Sequence, residues 1–163
     1  MSRPVCSRNE DVVRALCDSH WDQRQNRFSS GLFRGPNISV SRLAILHLET
    51  IFEIFHRDLD NPQSKVILAG EINVGKLQDI GKSHGPPISI IVEITPSLFN
   101  PAHAEIPQKL PRSLTLKIID QLIPHKDLKI KTIYKWIPLS IRVIVKFIHV
   151  RLRMLFQLSN PIR

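Results

Sequence analysis

KVILAGEINVGKL, residues 65–77, joins an apolar run to Gly70, Gly75 and Lys76 at the G-x-x-x-x-G-K spacing of a phosphate-binding loop. Two readings of it imply different proteins. In one, KVILA (65–69) is a buried strand and the glycine loop behind it wraps a phosphate, with Gly70, Gly75 and Lys76 as the contacts. In the other, the strand passes through a glycine-bounded turn into a short helix, VGKLQDIGK (74–82), and no ligand is involved. A phosphate loop also needs a Ser or Thr after the lysine to hold magnesium, and that position is Leu77. The neighbouring Gly81-Lys82-Ser83 has the hydroxyl but carries Lys76 where its first glycine would stand. The expectation is therefore strand, turn and helix. Gly70, Gly75 and Lys76 stay phosphate candidates by residue type alone.

Working outward, Leu48, Ile51, Phe52, Phe55 and Leu59 recur at helical spacing, so a helix is expected over 43–59, stopped by Asp60-Asn61-Pro62. ISVSRL alternates and predicts a strand from Ile38. The polar stretch 20–37, with Gly31, Gly35 and Pro36, reads as loop. Asn9 with the acids after it and Val12, Val13 and Leu16 on one face predict a short helix over 9–19. On the other side, ISIIVEIT (88–95) is expected to be the best strand, and RSLTLKIIDQL (112–122) a helix with Leu114, Ile118 and Leu122 on one side. Between them Pro96, Pro101, Pro107 and Pro111 exclude a long helix. This order predicts an α+β or small α/β domain of three or so strands with flanking helices.

The 163 residues suffice for one domain, possessing 42% apolar residues and a net charge of +9. The charge is unevenly placed. Nine Lys/Arg face a single acid, Asp127, between Pro124 and Arg163, so that segment is +8, whereas residues 1–123 carry 14 basic and 13 acidic groups. All six glycines lie between positions 31 and 85, and past Pro124 the text turns to Ile, Lys, Leu and Arg. We therefore divide the chain into a core, 1–123, and a basic segment, 124–163, read as an appended helix, a linker, or a foreign or frame-shifted tail. IPLSIRVIVKFIHVRLRMLFQL (137–158) is long enough to span a bilayer, but four Lys/Arg make insertion costly. It reads instead as a basic amphipathic helix or as a strand. Lys126, Lys129, Lys131, Lys135, Arg142, Lys146, Arg151 and Arg153 are the expected polyanion contacts, with Tyr134 and Trp136 available for stacking. Nucleic acid is the first expected partner; an anionic membrane surface and a protein partner are the alternatives.

NPAHAEI (100–106) holds the remaining chemistry. His103-Ala104-Glu105 resembles the first half of the zinc-dependent cytidine/adenosine deaminase signature, H-x-E followed by P-C-x-x-C. The resemblance covers about seven residues and implies His103 as a zinc ligand and Glu105 as the proton carrier. The family's downstream cysteines are missing, since the chain's two thiols are Cys6 and Cys17, and Pro107 follows where that fold continues a helix. We expect no metal and no cofactor, and a His and Glu in a surface loop, keeping His103 and Glu105 as the catalytic candidates of an alternative enzyme reading with Lys76 and His84. MSRPVCSRNEDVVRALC is charged throughout and does not read as a signal peptide, so a reduced, cytoplasmic protein with two ordinary thiols is expected.

Overall fold

A computed structural model describes residues 2–22, 24 and 27–127. The elements, in chain order, are β1 (Asp11–Cys17), β2 (Trp21–Asp22), β3 (Arg27–Phe28), β4 (Ile38–Arg42), α1 (Leu48–Leu59), β5 (Val66–Asn73), α2 (Val74–Lys82), β6 (Glu93–Ile94), β7 (His103–Ile106), α3 (Arg112–Ile119) and β8 (Ile123–His125). Six strands form an antiparallel sheet in the order β6-β7-β4-β1-β5-β8, and β2 and β3 pair separately. The fold is α+β. It is wider in sheet than the three strands expected.

Two helices cover one face and one covers the other. Leu77 of α2 and Leu114 and Ile118 of α3 pack with Val12, Leu16, Ile72, Ala104 and Ile106. Ile51, Phe52 and Phe55 of α1 pack with Val13, Ala15, Cys17, Val66 and Ala69. Each face is an apolar cluster that excludes water, the main favourable term in folding.

The largest correction concerns residues 9–19, expected as a helix and found as the central strand. β1 lies between β4 and β5, and both its faces are buried: Val12 and Leu16 enter the α2/α3 side, Val13, Ala15 and Cys17 the α1 side. A strand buried on both faces loses its apolar–polar alternation, and Val-Val-x-x-Leu then imitates a helical stripe.

The segment 88–95 is corrected the other way. Ile90 and Val92 do point into the core at 1% exposure each, but laddered pairing is confined to Glu93↔Glu105 and Ile94↔Ala104. The rest is held by single bonds, from Ile88 N to Gly81 O at 3.0 Å and from Cys6 N to Val92 O at 2.8 Å. Alternation records which side is buried; it does not record whether a partner strand lies alongside.

α1, α2 and α3 form where periodicity placed them, α1 beginning at Leu48 after a turn at 43–46 and ending before Asp60. Asp60 closes that end by accepting from Val66 N at 2.8 Å. β8 carries the sheet past residue 123, and the chain divides into units Met1–Asp127 and Leu128–Arg163. Expectations for the basic segment beyond Asp127 lie outside the described residues. Among the described residues, no helix is long and apolar enough to cross a membrane.

A half-buried ion pair fastens the start of β1 to the end of β4. Arg42 Nε donates to Glu10 Oε2 at 2.7 Å and Ser7 N donates to Glu10 Oε1 at 2.9 Å. The Arg42 guanidinium holds the Glu10 carboxyl below its ordinary value of 4.5. A carboxyl lowered in the folded state adds stability that is present above the unfolded value and is lost as pH falls through the folded one. Glu10→Gln is therefore expected to cost about 1–2 kcal/mol at neutral pH, with the gap to the parent closing as pH falls below 4.5 and through the lowered folded value. Urea titrations at neutral and acid pH measure both; an equal gap at both would show that the charge contributes nothing.

Candidate functional site

The GEINVGK stretch contains no loop. Gly70 sits within β5, paired with Arg14 on one side and Pro124 on the other. Its missing side chain has a packing cause: a Cβ there would lie 3.0 Å from a Leu122 methyl and 3.3 Å from a Leu16 methyl. The helix begins directly after the strand, with Asn73 as its cap. Its first amides are already engaged, Val74 N by Glu10 O (2.9 Å), Gly75 N by Arg8 O (2.8 Å) and Lys76 N by Asn73 Oδ1 (3.3 Å). A phosphate cradle needs those N–H groups free. Lys76 is exposed on α2.

His103 and Glu105 lie in β7, between β4 and β6, and not in the surface loop expected of them. Because Ala104 and Ile106 enter the α2/α3 core, alternation turns His103 and Glu105 to the opposite face. His103 Nδ1 lies 2.9 Å from the Thr95 carbonyl; a carbonyl only accepts, so Nδ1 carries the proton and Nε2 faces Glu105 Oε1 at 4.0 Å. Arg3 Nη1 stands 3.4 Å from Glu93 and 3.8 Å from Glu105, bridging two carboxylates that face each other across β6 and β7. His84 caps a different region, its Nδ1 3.0 Å from Pro86 O and its Nε2 2.9 Å from the Ser113 hydroxyl. The fold thus pairs a serine with a histidine 29 residues away, which spacing could not reveal. Ser113 is exposed and His84 half-buried, and neither lines the cleft described next. Lys76 and His84, with the α2 and α3 side, are separated by the sheet from His103 and Glu105. The four do not converge.

Nor do both thiols join His103: Cys17 lines the same α1-side cleft as His103, but Cys6 lies across the sheet. Cys6 belongs to the α2/α3 cluster and Cys17 to the α1 cluster. Among the described residues, no group of three or more His, Cys, Asp or Glu side chains is arranged to hold a metal ion.

What the fold assembles instead is a cleft where β1 and β4 part. Their ladder consists of Val12↔Arg42 and Val13↔Ser41, although β1 continues to Cys17 and β4 starts at Ile38. The Arg14 side chain reaches across this opening, donating from Nη1 to Ser39 O at 2.5 Å and from Nε to Leu32 O at 2.7 Å. Its Cζ lies 5.4 Å from the centroid of the Phe33 ring. The cavity, of about 350 Å³, is walled on its apolar side by Ala15, Ile38, Val40, Ile54 and Phe55. Its polar lining includes Arg14, His20, Arg34, Ser41, Asn100 and His103. Ser41 and Asn100 are buried and joined by a 3.1 Å bond from Asn100 Nδ2 to Ser41 Oγ.

Burial pushes the Arg14 guanidinium down to about 10. It also raises the Cys17 thiol, which makes that sulfur a poor nucleophile, and lowers His20, with Arg14 adding to the effect. Among the described residues, neither Arg14 nor Arg34 has a carboxylate partner. Asp58, on the far wall, is taken by Arg57 Nε at 2.6 Å. No titration of spacing could have found this site, because Arg14 and Ser39 are brought together only by the sheet.

Fold and cleft define a three-layer α+β protein, one helix and two on either side of an antiparallel sheet, with an arginine-lined opening between two sheet strands. No protein-family model, curated protein or solved structure matches the chain.

Proposed function

We propose that this protein is a non-catalytic binding module that contacts a polyanion, nucleic acid first, through its C-terminal segment. One observation carries the reading. All 14 acidic residues fall at or before Asp127, and eight Lys/Arg with no Asp or Glu follow it, so a nearly neutral unit is joined to a segment of +8. Such a segment releases condensed counterions when it meets a duplex, which makes affinity large at low salt and steeply salt-dependent. Lys126, which precedes it in sequence, is exposed, and Tyr134 and Trp136 offer aromatic side chains for stacking on unpaired bases. The alternative is an enzyme acting on a nucleotide or nucleic acid with the Gly70–Lys76 stretch or the His103/Glu105 pair; it has less support, because the amides of Val74, Gly75 and Lys76 are engaged and the sheet separates Lys76 from His103 and Glu105.

If three to five of these cations meet phosphates, log K for a duplex should fall against log salt with a slope of roughly −3 to −4.5. Fluorescence anisotropy with labelled DNA and RNA across 50–300 mM salt, beside vesicle sedimentation with phosphatidylserine, is the measurement. Affinity for vesicles alone assigns the segment to membranes. Affinity for neither at the lowest salt overturns the proposal.

A further inference from the structure

We propose that the cleft between β1 and β4 is a second, independent binding site, for a small organic anion whose carboxylate or phosphate head meets Arg14 and Arg34 and whose short apolar body lies against Ile38, Val40, Ile54 and Phe55.

The charge balance of the cleft leads to this. Arg14 is half-buried; a guanidinium partly withdrawn from water loses hydration that carbonyl acceptors and an aromatic face offset only in part. Arg14 uses Nε and Nη1 on the Leu32 and Ser39 carbonyls, while Nη2 makes no hydrogen bond among the described residues. Arg34, exposed at the mouth, adds a second cation, and the acid on the wall, Asp58, is already held by Arg57. An oxyanion is the group that completes such a pair, because guanidinium donors match its oxygens in geometry and charge.

Size and lining narrow the ligand further. A volume of about 350 Å³ lies at the small end of ligand sites. The apolar wall contributed by α1 and β4 has no use for a bare inorganic ion. Ser41 and Asn100 in the lining supply hydroxyl and amide groups to orient the head. The opening exists because the strands part beyond Val13, where continued pairing would have filled it with backbone.

The test uses the full chain, labelled with ¹⁵N, titrated with hexanoate, with hexyl phosphate, and with hexanol as the uncharged control. Saturable shifts of the Arg14 Nε–Hε signal and of the Ser39 and Ser41 amides are expected with at least one anion; the tighter of the two identifies the head group. Arg14→Ala also removes the struts between the strands, so the decisive variant is the exposed Arg34→Ala, whose folding is verified by thermal melting. It should weaken the anion roughly tenfold or more. Charge reversal at Arg142, Lys146 and Arg153 should leave these shifts in place, which separates this site from the polyanion segment. The inference is overturned by an absence of saturable shifts with both anions, by hexanol binding as tightly as either, or by unchanged affinity in folded Arg34→Ala.

Discussion

Gly81→Ala is expected to destabilise the protein by about 3 kcal/mol, at the upper end of what overpacking costs, and to lower its melting temperature by roughly 10 °C. Gly81 lies in the last turn of α2, where the extended chain of residues 88–90 passes directly against the helix. A Cβ would stand 2.3 Å from the Ile88 carbonyl oxygen and 2.9 Å from Ile90 Cγ1. Neither neighbour has room to yield: Ile88 N is bonded to Gly81 O at 3.0 Å, and the Ile90 side chain is packed in the core at 1% exposure. The sign makes the experiment decisive. Helix propensity alone predicts that alanine stabilises an interior helical glycine position by about 1 kcal/mol, so a urea titration showing a gain would contradict the close approach of this extended segment to α2. The glycine is there for a neighbour it touches, not for a ligand or a special backbone angle.

The second large effect concerns the polyanion. Reversing Arg142, Lys146 and Arg153 to glutamate should lower affinity for duplex nucleic acid by roughly 10²- to 10³-fold near 0.1 M salt and flatten the salt slope by about 2.7, the share of three phosphate contacts. Melting temperature should stay within the small range of surface substitutions. Anisotropy and thermal melting on the same preparations distinguish the outcomes. A folded triple variant that binds DNA, RNA and anionic vesicles as tightly as the parent would remove the C-terminal segment from the binding surface. Unfolding would show that these positions contribute to packing, and single reversals would then apportion the effect.

The elements legible in advance share one physical property. α1 presents Ile51, Phe52 and Phe55 to the sheet and acids to water, and β4 alternates Ile38 and Val40 with Ser39, so one-sided burial wrote its period into the text. β1 imitates a helix because burial on two faces erases that period, and 88–95 imitates a full strand because burial on one side persists where pairing does not. The prolines around His-Ala-Glu suggest a loop, yet Pro101 and Pro107 merely bracket a four-residue strand seated between β4 and β6. A local signal reports the environment of each residue. It carries no record of which distant segment supplies that environment.

Composition and order of residues alone determined a layered domain of strands and helices, the places of α1, α2 and α3, the absence of a magnesium ligand at position 77 and the concentration of positive charge at the C-terminal end. These depend on spacing within a dozen residues or on simple counting. Tertiary structure alone decided that Gly70 is a packing contact of Leu16 and Leu122, that the first amides of α2 are occupied, and that His103 and Glu105 face away from Lys76. It also decided the cleft, since Arg14 becomes a half-buried cation without a carboxylate partner only when β1 and β4 part and the carbonyls of Leu32 and Ser39 are brought to its guanidinium. Hydrogen bonds and desolvation act through space over a few ångströms, and residues 18 and 25 positions apart reach that distance only after the chain has folded.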